Sequence, residues 1–415
     1  MSQQQRENES QQHEMALDDV SEDNFTDDEQ SGGICNRIVT QKGLELAQYV
    51  RDMYDSGARL WTKDMFQNIE AELAKEPQPK SVTIRSMNGE LSSKAVPVDG
   101  INPDFDENMY LRMYVRFRPY RDLIEDAEEE SIEPECDEDL GWYPRDISLE
   151  DRRTLASPTW DEARHNWSQS RVCKELKATL SGLTYIPKAK RVVCFGLGRL
   201  DRNFDASGSD ELAACDGLPR YRTMTQHSAA LTLAAVLGER SGSGPLPVFV
   251  QDPDYSSEHR EMLRDAGMEV VGGYGSLAFT YVDDETVVLT CAPDIPVRQI
   301  VADIARPAAM IWDPELSVGG EERGWEVEIV NGEKIYVPQR MTDEDSPRTR
   351  KMLEGYDKIE FPPSRERFGS LMIYTKHVFF SIQARLSGRT EPGFCDKVVL
   401  DIWQVAVQSV GDFRK

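Results

Sequence analysis

The spacing of apolar side chains changes twice along the chain. From Lys42, Leu46, Val50 and Met53 recur at i, i+4 and i+7, which predicts an amphipathic helix. A second helix is predicted to open at Thr62, whose hydroxyl suits a cap, and it carries Phe66, Ile69 and Leu73 on one face. Asp55-Ser56-Gly57 reads as the turn between them. Beyond Pro77 the period falls to two: Val82-Thr83-Ile84 leads into Asn88-Gly89, a dipeptide that tolerates the positive φ of a hairpin turn. Tyr110 to Arg118 alternates, with Leu111, Met113, Val115 and Phe117 on one face and Tyr110, Arg112, Tyr114, Arg116 and Arg118 on the other.

From about residue 171 the pattern becomes alternating strand and helix. Arg191 to Phe195 is a short apolar strand ending at Gly196-Leu197-Gly198. After a polar loop over 199–220, a helix is expected near Tyr221 to Glu239, apolar nearly all round and so suited to lie between a sheet and another layer. A second strand runs to Gln251-Asp252, a helix spans Ser257 to Gly267, and strands follow at Met268 to Val271, Thr286 to Thr290 and Ala308 to Trp312, with a helix at Val297 to Ala305. Repeated βαβ units predict a Rossmann-like α/β fold, a mostly parallel sheet with helices on both faces. Right-handed crossovers then place any site at the carboxyl ends of the strands, near the switch in strand order.

The regions either side are read as a helical and β extension over 34–170 and a mixed carboxy-terminal extension over 314–415 that packs on the α/β domain of 171–313. In the first, eleven acidic residues between 121 and 139 suggest an acidic linker, and 142–170 a linker feeding a helix, with Trp142, Trp160 and Trp167 placed to dock on the neighbouring domain. In the second, Trp325 to Val330 and Glu333 to Val337 flank Asn331-Gly332 as a hairpin, and Leu371 to Tyr374 and Val398 to Val407 are apolar segments. Residues 1–33 are expected to be a disordered acidic tail, since residues 1–31 hold ten Asp or Glu against one Arg and little to bury.

Charge narrows the partners. The formal net charge is −26 and the mean hydropathy −0.55. Such a surface repels phosphate backbones and anionic membranes, so nucleic acid is an unlikely partner, although the Arg/Tyr face of 110–118 has the composition of a single-stranded platform. No apolar run reaches the roughly 20 residues of a membrane span, and the amino terminus lacks a signal-type apolar core. Seven scattered cysteines without CxxC spacing argue for reduced thiols in cytoplasm or nucleus, and against a structural metal site.

Several ordered segments together carry a family likeness. VVCFGLG at 192–198, QHSAALTLAAVL at 226–237, VFVQDPDY at 248–255, LRDAGMEVV at 263–271 and DETVVLTCAPDIPVRQIVADIARPAAMIW at 284–312 resemble the SRR-like (Sensitivity to Red Light Reduced) domain. YDSGARLWTKDMFQNIEAEL at 54–73 is similar to a helical element upstream in such proteins. One departure is at the fourth-strand turn, where the family pattern has a His before a Cys and this chain has Thr290-Cys291-Ala292-Pro293. The resemblance implies a regulatory protein linked to circadian timing and to control of haem synthesis, and no agreed enzymatic activity.

The residues themselves offer three candidates for binding a cofactor. Gly196 and Gly198 after the first strand permit close backbone approach to a ligand, though position 201 is Asp rather than a small residue and the helix begins some twenty residues later. Asp252 at the end of the second strand could accept hydrogen bonds from ribose hydroxyls, or could simply cap the next helix. His227 as an acid or base, and Cys291 with Asp294 as a nucleophile, are weaker than their structural alternatives, and catalytic residues stay unassigned. Two readings remain: a non-catalytic regulatory scaffold acting on an unidentified protein partner, or an enzyme with a nucleotide-like cofactor, S-adenosylmethionine first. An open pocket at the strand ends would favour the enzyme; one plugged by Tyr, Phe or the carboxy-terminal extension would favour the scaffold.

Overall fold

A computed structural model describes residues 40–96, 100–101, 109–128, 138–146, 157–183, 189–200, 222–315, 325–330, 333–338 and 343–377. The chain forms two units, one of residues 1–37 with 319–340 and one of 38–318 with 341–415. In the first, the described residues are the hairpin of Trp325–Val330 and Glu333–Pro338, antiparallel with Val330 opposite Glu333, as its alternation predicts. The expected acidic tail, most of the loop 199–220 and the segment Val398 to Val407 lie outside the described residues.

The larger unit is built on a seven-stranded sheet. In chain order its strands are β6 (Arg191–Phe195), β7 (Val248–Gln251), β8 (Met268–Val270), β9 (Thr286–Thr290), β10 (Ala309–Trp312), β13 (Tyr356–Glu360) and β14 (Met372–Lys376), where β11 and β12 are the two strands of the hairpin. They lie in the order β13-β14-β10-β9-β6-β7-β8. The five strands from β10 to β8 are parallel, and β14 runs antiparallel to both β10 and β13. The architecture is therefore the mostly parallel α/β sheet that the sequence predicts, and its order reverses between β6 and β9.

Burial explains why these segments are strands. β9 is buried at all five positions and β10 at all four, as strands covered on both faces must be. Alternate side chains enter two separate cores. Val193, Phe195, Val288, Met310 and Trp312 face one; Val192, Cys194, Leu289 and Ile311 face the other. The second core is closed by α4 (Ser157–Gln169), α5 (Arg171–Gly182), α6 (Arg222–Ser241) and α7 (Ser257–Asp265), where Trp160 and Trp167 are buried and Trp167 Nε1 donates to Thr232 Oγ1 at 2.9 Å.

The first core is closed by α8 (Val297–Ile304) and by amino-terminal elements. Those that bury side chains in it include α1 (Gln41–Asp55), α2 (Lys63–Leu73), β1 (Ser81–Arg85), which pairs with β2 (Leu91–Ala95), and β4 (Met109–Phe117), which pairs with β3 (Gly100–Ile101) and β5 (Glu138–Asp146). Thr62 caps α2 by accepting from Met65 N at 3.2 Å, and Phe66, Ile69 and Leu73 are buried as predicted. The buried stripe of α1 is Gly43, Ala47, Val50 and Tyr54, one position round from the expected Leu46, Val50 and Met53. Tyr54 sets that rotation: its ring stacks on Tyr120 at 4.1 Å between centroids, and its hydroxyl lies 2.7 Å from Ser346 Oγ.

Three further expectations change. The acidic stretch after Arg121 begins as α3 (Tyr120–Glu128), whose Leu123, Ile124 and Ala127 are buried; a one-sided apolar stripe outweighs its charge. Residues 142–146 belong to β5, with Trp142 opposite Met113 on β4, a strand obscured in sequence by Gly141, Pro144 and its acidic residues. The segment Leu371 to Tyr374 becomes β14 inside the main sheet, while β13 at the edge, with three exposed positions of five, carried no apolar signal. The last helices are α9 (Pro347–Leu353) and α10 (Arg365–Phe368).

Candidate ligand site

The reversal of strand order leaves a crevice at the carboxyl ends of β6, β7 and β9, and all three sequence-predicted cofactor residues line it. Gly196 and Gly198 have φ of +63° and +76°, in the left-handed region where a side chain is strained. Space adds a second reason. A Cβ on Gly196 would sit 2.9 Å from Pro293 Cα, and one on Gly198 would sit 3.0 Å from Thr223 Cγ2. Thr223 lies in the first turn of α6, so tertiary packing brings that helix start against the glycine turn despite the long intervening loop.

Asp252 ties the two loops together. Its Oδ2 accepts from Gly198 N at 2.8 Å and its Oδ1 from Asp254 N at 3.0 Å. Burial pushes its carboxyl up to about 6, with Asp254 and Asp294 adding to the rise and the two backbone N–H groups opposing it. Both oxygens thus serve the backbone, and each keeps lone-pair capacity for a further donor. The turn after β9 adds Ala292, a non-glycine residue at φ +51°.

The opposite wall comes from residues the sequence did not single out. Glu70 of α2 is buried; its Oε2 accepts from Tyr274 N at 2.8 Å and its Oε1 from Ser276 N at 2.9 Å and Ser276 Oγ at 2.8 Å. Val115 N of β4 donates to Tyr274 O at 2.8 Å. Gln251 Oε1 accepts from Ala278 N at 2.8 Å and its amide donates to Gly275 O. So clamped, the loop after β8 places Tyr274 in the lining of the crevice, and β4 adds Tyr114. Tyr114 belongs to the Arg/Tyr face that resembled a nucleic-acid platform; here it lines the crevice instead. The remaining cavity is about 160 Å³. A Cβ on Gly273 would clash with the Glu70 carboxylate, so that glycine is the one local trace of the approach, and nothing in sequence marked Glu70 as its anchor.

His227 and Cys291 sit near these strand ends in structural roles. The His227 ring is fully buried, with Nδ1 2.7 Å from Thr223 O and Nε2 2.6 Å from Tyr255 OH. A carbonyl only accepts, so Nδ1 carries the proton and Nε2 accepts from the tyrosine. Burial lowers the imidazole to about 4, which keeps it neutral. Cys291 is buried, and desolvation pushes its thiol well above the ordinary range, away from the nucleophilic thiolate. Among the described residues no group of three or more His, Cys, Asp or Glu is placed to hold a metal ion, and no helix is long and apolar enough to cross a membrane.

A mostly parallel sheet, a glycine turn after its first strand and an acid after its second, meeting at a switch in strand order, define a Rossmann-like α/β protein. Residues 176–373 match the family model of the SRR1 domain. Over that span, which runs from α5 into β14, the chain is similar to SRR-like domain-containing proteins. No curated protein matches the chain. Among solved structures it is similar to the Burkholderia thailandensis 1,6-didemethyltoxoflavin-N1-methyltransferase with bound 1,6-didemethyltoxoflavin and S-adenosylhomocysteine. The identity is 14%, the match covers 54% of this chain and 92% of that one, and the TM-score is 0.23, too low for the likeness to carry weight.

Proposed function

We propose that this protein is a regulatory SRR-like protein that works by binding through its Rossmann-like scaffold rather than by turning over a nucleotide cofactor. The observation that carries this reading is the size of the crevice. At about 160 Å³ it falls below the roughly 300–1,000 Å³ typical of pockets that enclose a cofactor or drug-sized ligand. Tyr114 and Tyr274 line it, and the Gly198 amide that could face a ligand is bound to Asp252. Family resemblance supplies the context, circadian timing and control of haem synthesis in cytoplasm or nucleus, with a protein as the partner.

The second reading, an enzyme using S-adenosylmethionine or another nucleotide cofactor, draws on one observation: Thr223 at the start of α6 abuts Gly198, restoring the helix-to-glycine contact of nucleotide sites. A thermal-shift panel on the full chain separates the two, with S-adenosylmethionine, its demethylated product, NAD, NADPH, ATP and haem as ligands. A ligand at a hundred times its Kd adds about 2.7 kcal/mol. No shift from the nucleotide cofactors is expected; a shift accompanied by turnover, both lost in a variant of the crevice that still folds, overturns the first reading.

A further inference from the structure

The crevice has a chemical character of its own. Of its described lining residues, Asp252, Asp254 and Asp294 are acidic and Arg260 alone is basic. Arg260 Nε is directed to Tyr255 O at 3.3 Å. The three carboxylates act on a common space, since the charges of Asp254 and Asp294 both disfavour ionisation of Asp252, and Asp294 has the same effect on Tyr114. Among the described lining residues the acidic side chains outnumber the one basic side chain, which disfavours a phosphate. The Gly198 amide donates to Asp252 at 2.8 Å and the Gly196 amide to Gln251 O at 3.4 Å, so neither glycine N–H is presented to an anion.

Aromatic residues complete the enclosure. Tyr114 and Tyr274 line the same cavity as the carboxylates. Aromatic faces beside carboxylates, in a partly desolvated space, form the environment in which organic cations bind, because the ring quadrupole and the carboxylate charges attract the same sign. The volume sets the size of the guest. A cavity of about 150 Å³ accepts one benzene ring, and this one is about 160 Å³. It takes a single compact group, not an extended nucleotide.

We propose that the switch-point crevice binds a small organic cation, an alkylated ammonium or sulfonium group, between Tyr114, Tyr274 and the carboxylates of Asp252, Asp254 and Asp294. This rests on reading the crevice as a binding site rather than a catalytic centre. The net charge of −26 adds long-range attraction for such a ligand.

The experiment is a titration of the full chain, at fixed ionic strength in sodium chloride, with tetramethylammonium, trimethylsulfonium, the neutral isostere tert-butanol and inorganic pyrophosphate. Both cations are expected to bind at least tenfold more tightly than tert-butanol, and pyrophosphate not at all. Asp294→Asn, at an exposed position, is expected to weaken the cations about tenfold, and Tyr114→Leu to weaken them similarly, with tert-butanol little changed in either. Equal binding of tert-butanol, binding of pyrophosphate, undiminished cation binding in both variants, or no cation binding overturns the assignment. Choline against trimethylsulfonium then separates an ammonium source from a sulfonium source. Turnover of S-adenosylmethionine would overturn the non-catalytic reading and leave the cation assignment standing, whereas failure of every cation to bind overturns the assignment alone.

Discussion

The backbone N–H of Gly198 donates to the side chain of Asp252 at 2.8 Å, joining the loop after β6 to the loop after β7. The same carboxylate was a candidate for holding a ribose and a candidate for a local cap. In place it does a third thing, fixing the distance between two strand ends across the floor of the crevice. The glycines and the acid therefore act as one unit.

Asp252 and His227 give opposite pH slopes. Asp252 titrates at about 6 in the fold against 3.8 in the unfolded chain, so the folded state holds more protons and stability falls as pH rises from about 4 to about 6. The loss amounts to about 3 kcal/mol at most. His227 titrates at about 4 against 6.5, so the unfolded state holds more protons and stability falls as pH drops from 6.5 through 4. Urea unfolding across pH 3.5 to 7.5 is expected to show wild type losing ground to Asp252→Asn as pH rises, and to His227→Gln as pH falls. Parallel pH profiles for wild type and either variant would refute the assignment.

Gly196 and Gly198 should differ in tolerance. Alanine at 196 meets the Pro293 backbone at 2.9 Å, whereas at 198 it meets a threonine methyl that can turn aside. Both carry left-handed strain of about 1–2 kcal/mol. Gly196→Ala is expected to lower the urea midpoint clearly more than Gly198→Ala, and the reverse order would contradict the packing argument.

Glu70→Ala strips the acceptor from Tyr274 N, Ser276 N and Ser276 Oγ. Leaving buried donors without partners costs about 1–3 kcal/mol for each group that water cannot reach. Hydrogen exchange should rise selectively over residues 272–276, ahead of β6 and β9; unchanged protection there would show that Val115 and Gln251 hold the loop without it.

Ala292 adopts φ +51° in the turn that seats Pro293 against Gly196. Ala292→Gly relieves about 1–2 kcal/mol of left-handed strain and loses about 0.4–1 kcal/mol through the freer unfolded chain. A net gain of about 0.5–1 kcal/mol is expected in denaturant midpoint measurements, and a loss would mean that the methyl group packs usefully.

What the sequence determined by itself is the central sheet and its glycine turn. Strands buried on both faces read as apolar runs, helices between them read at a different period, and Gly196, Gly198 and Asp252 stand at strand ends, where local chemistry alone flags them. What only the tertiary structure decided is what those ends face. Glu70 lies 204 residues before Tyr274 in the chain, and Tyr114 reaches the crevice from a separate sheet. Sequence periodicity says which face of α2 or β4 is buried but not against what, because that depends on long-range packing with no local imprint. The same limit hid β13 and β14 as members of the main sheet, since an antiparallel partner arriving sixty residues after β10 is chosen by the open sheet edge and not by its own pattern. Whether the crevice is open or narrow is decided at that level, by the loop that a distant carboxylate holds in place.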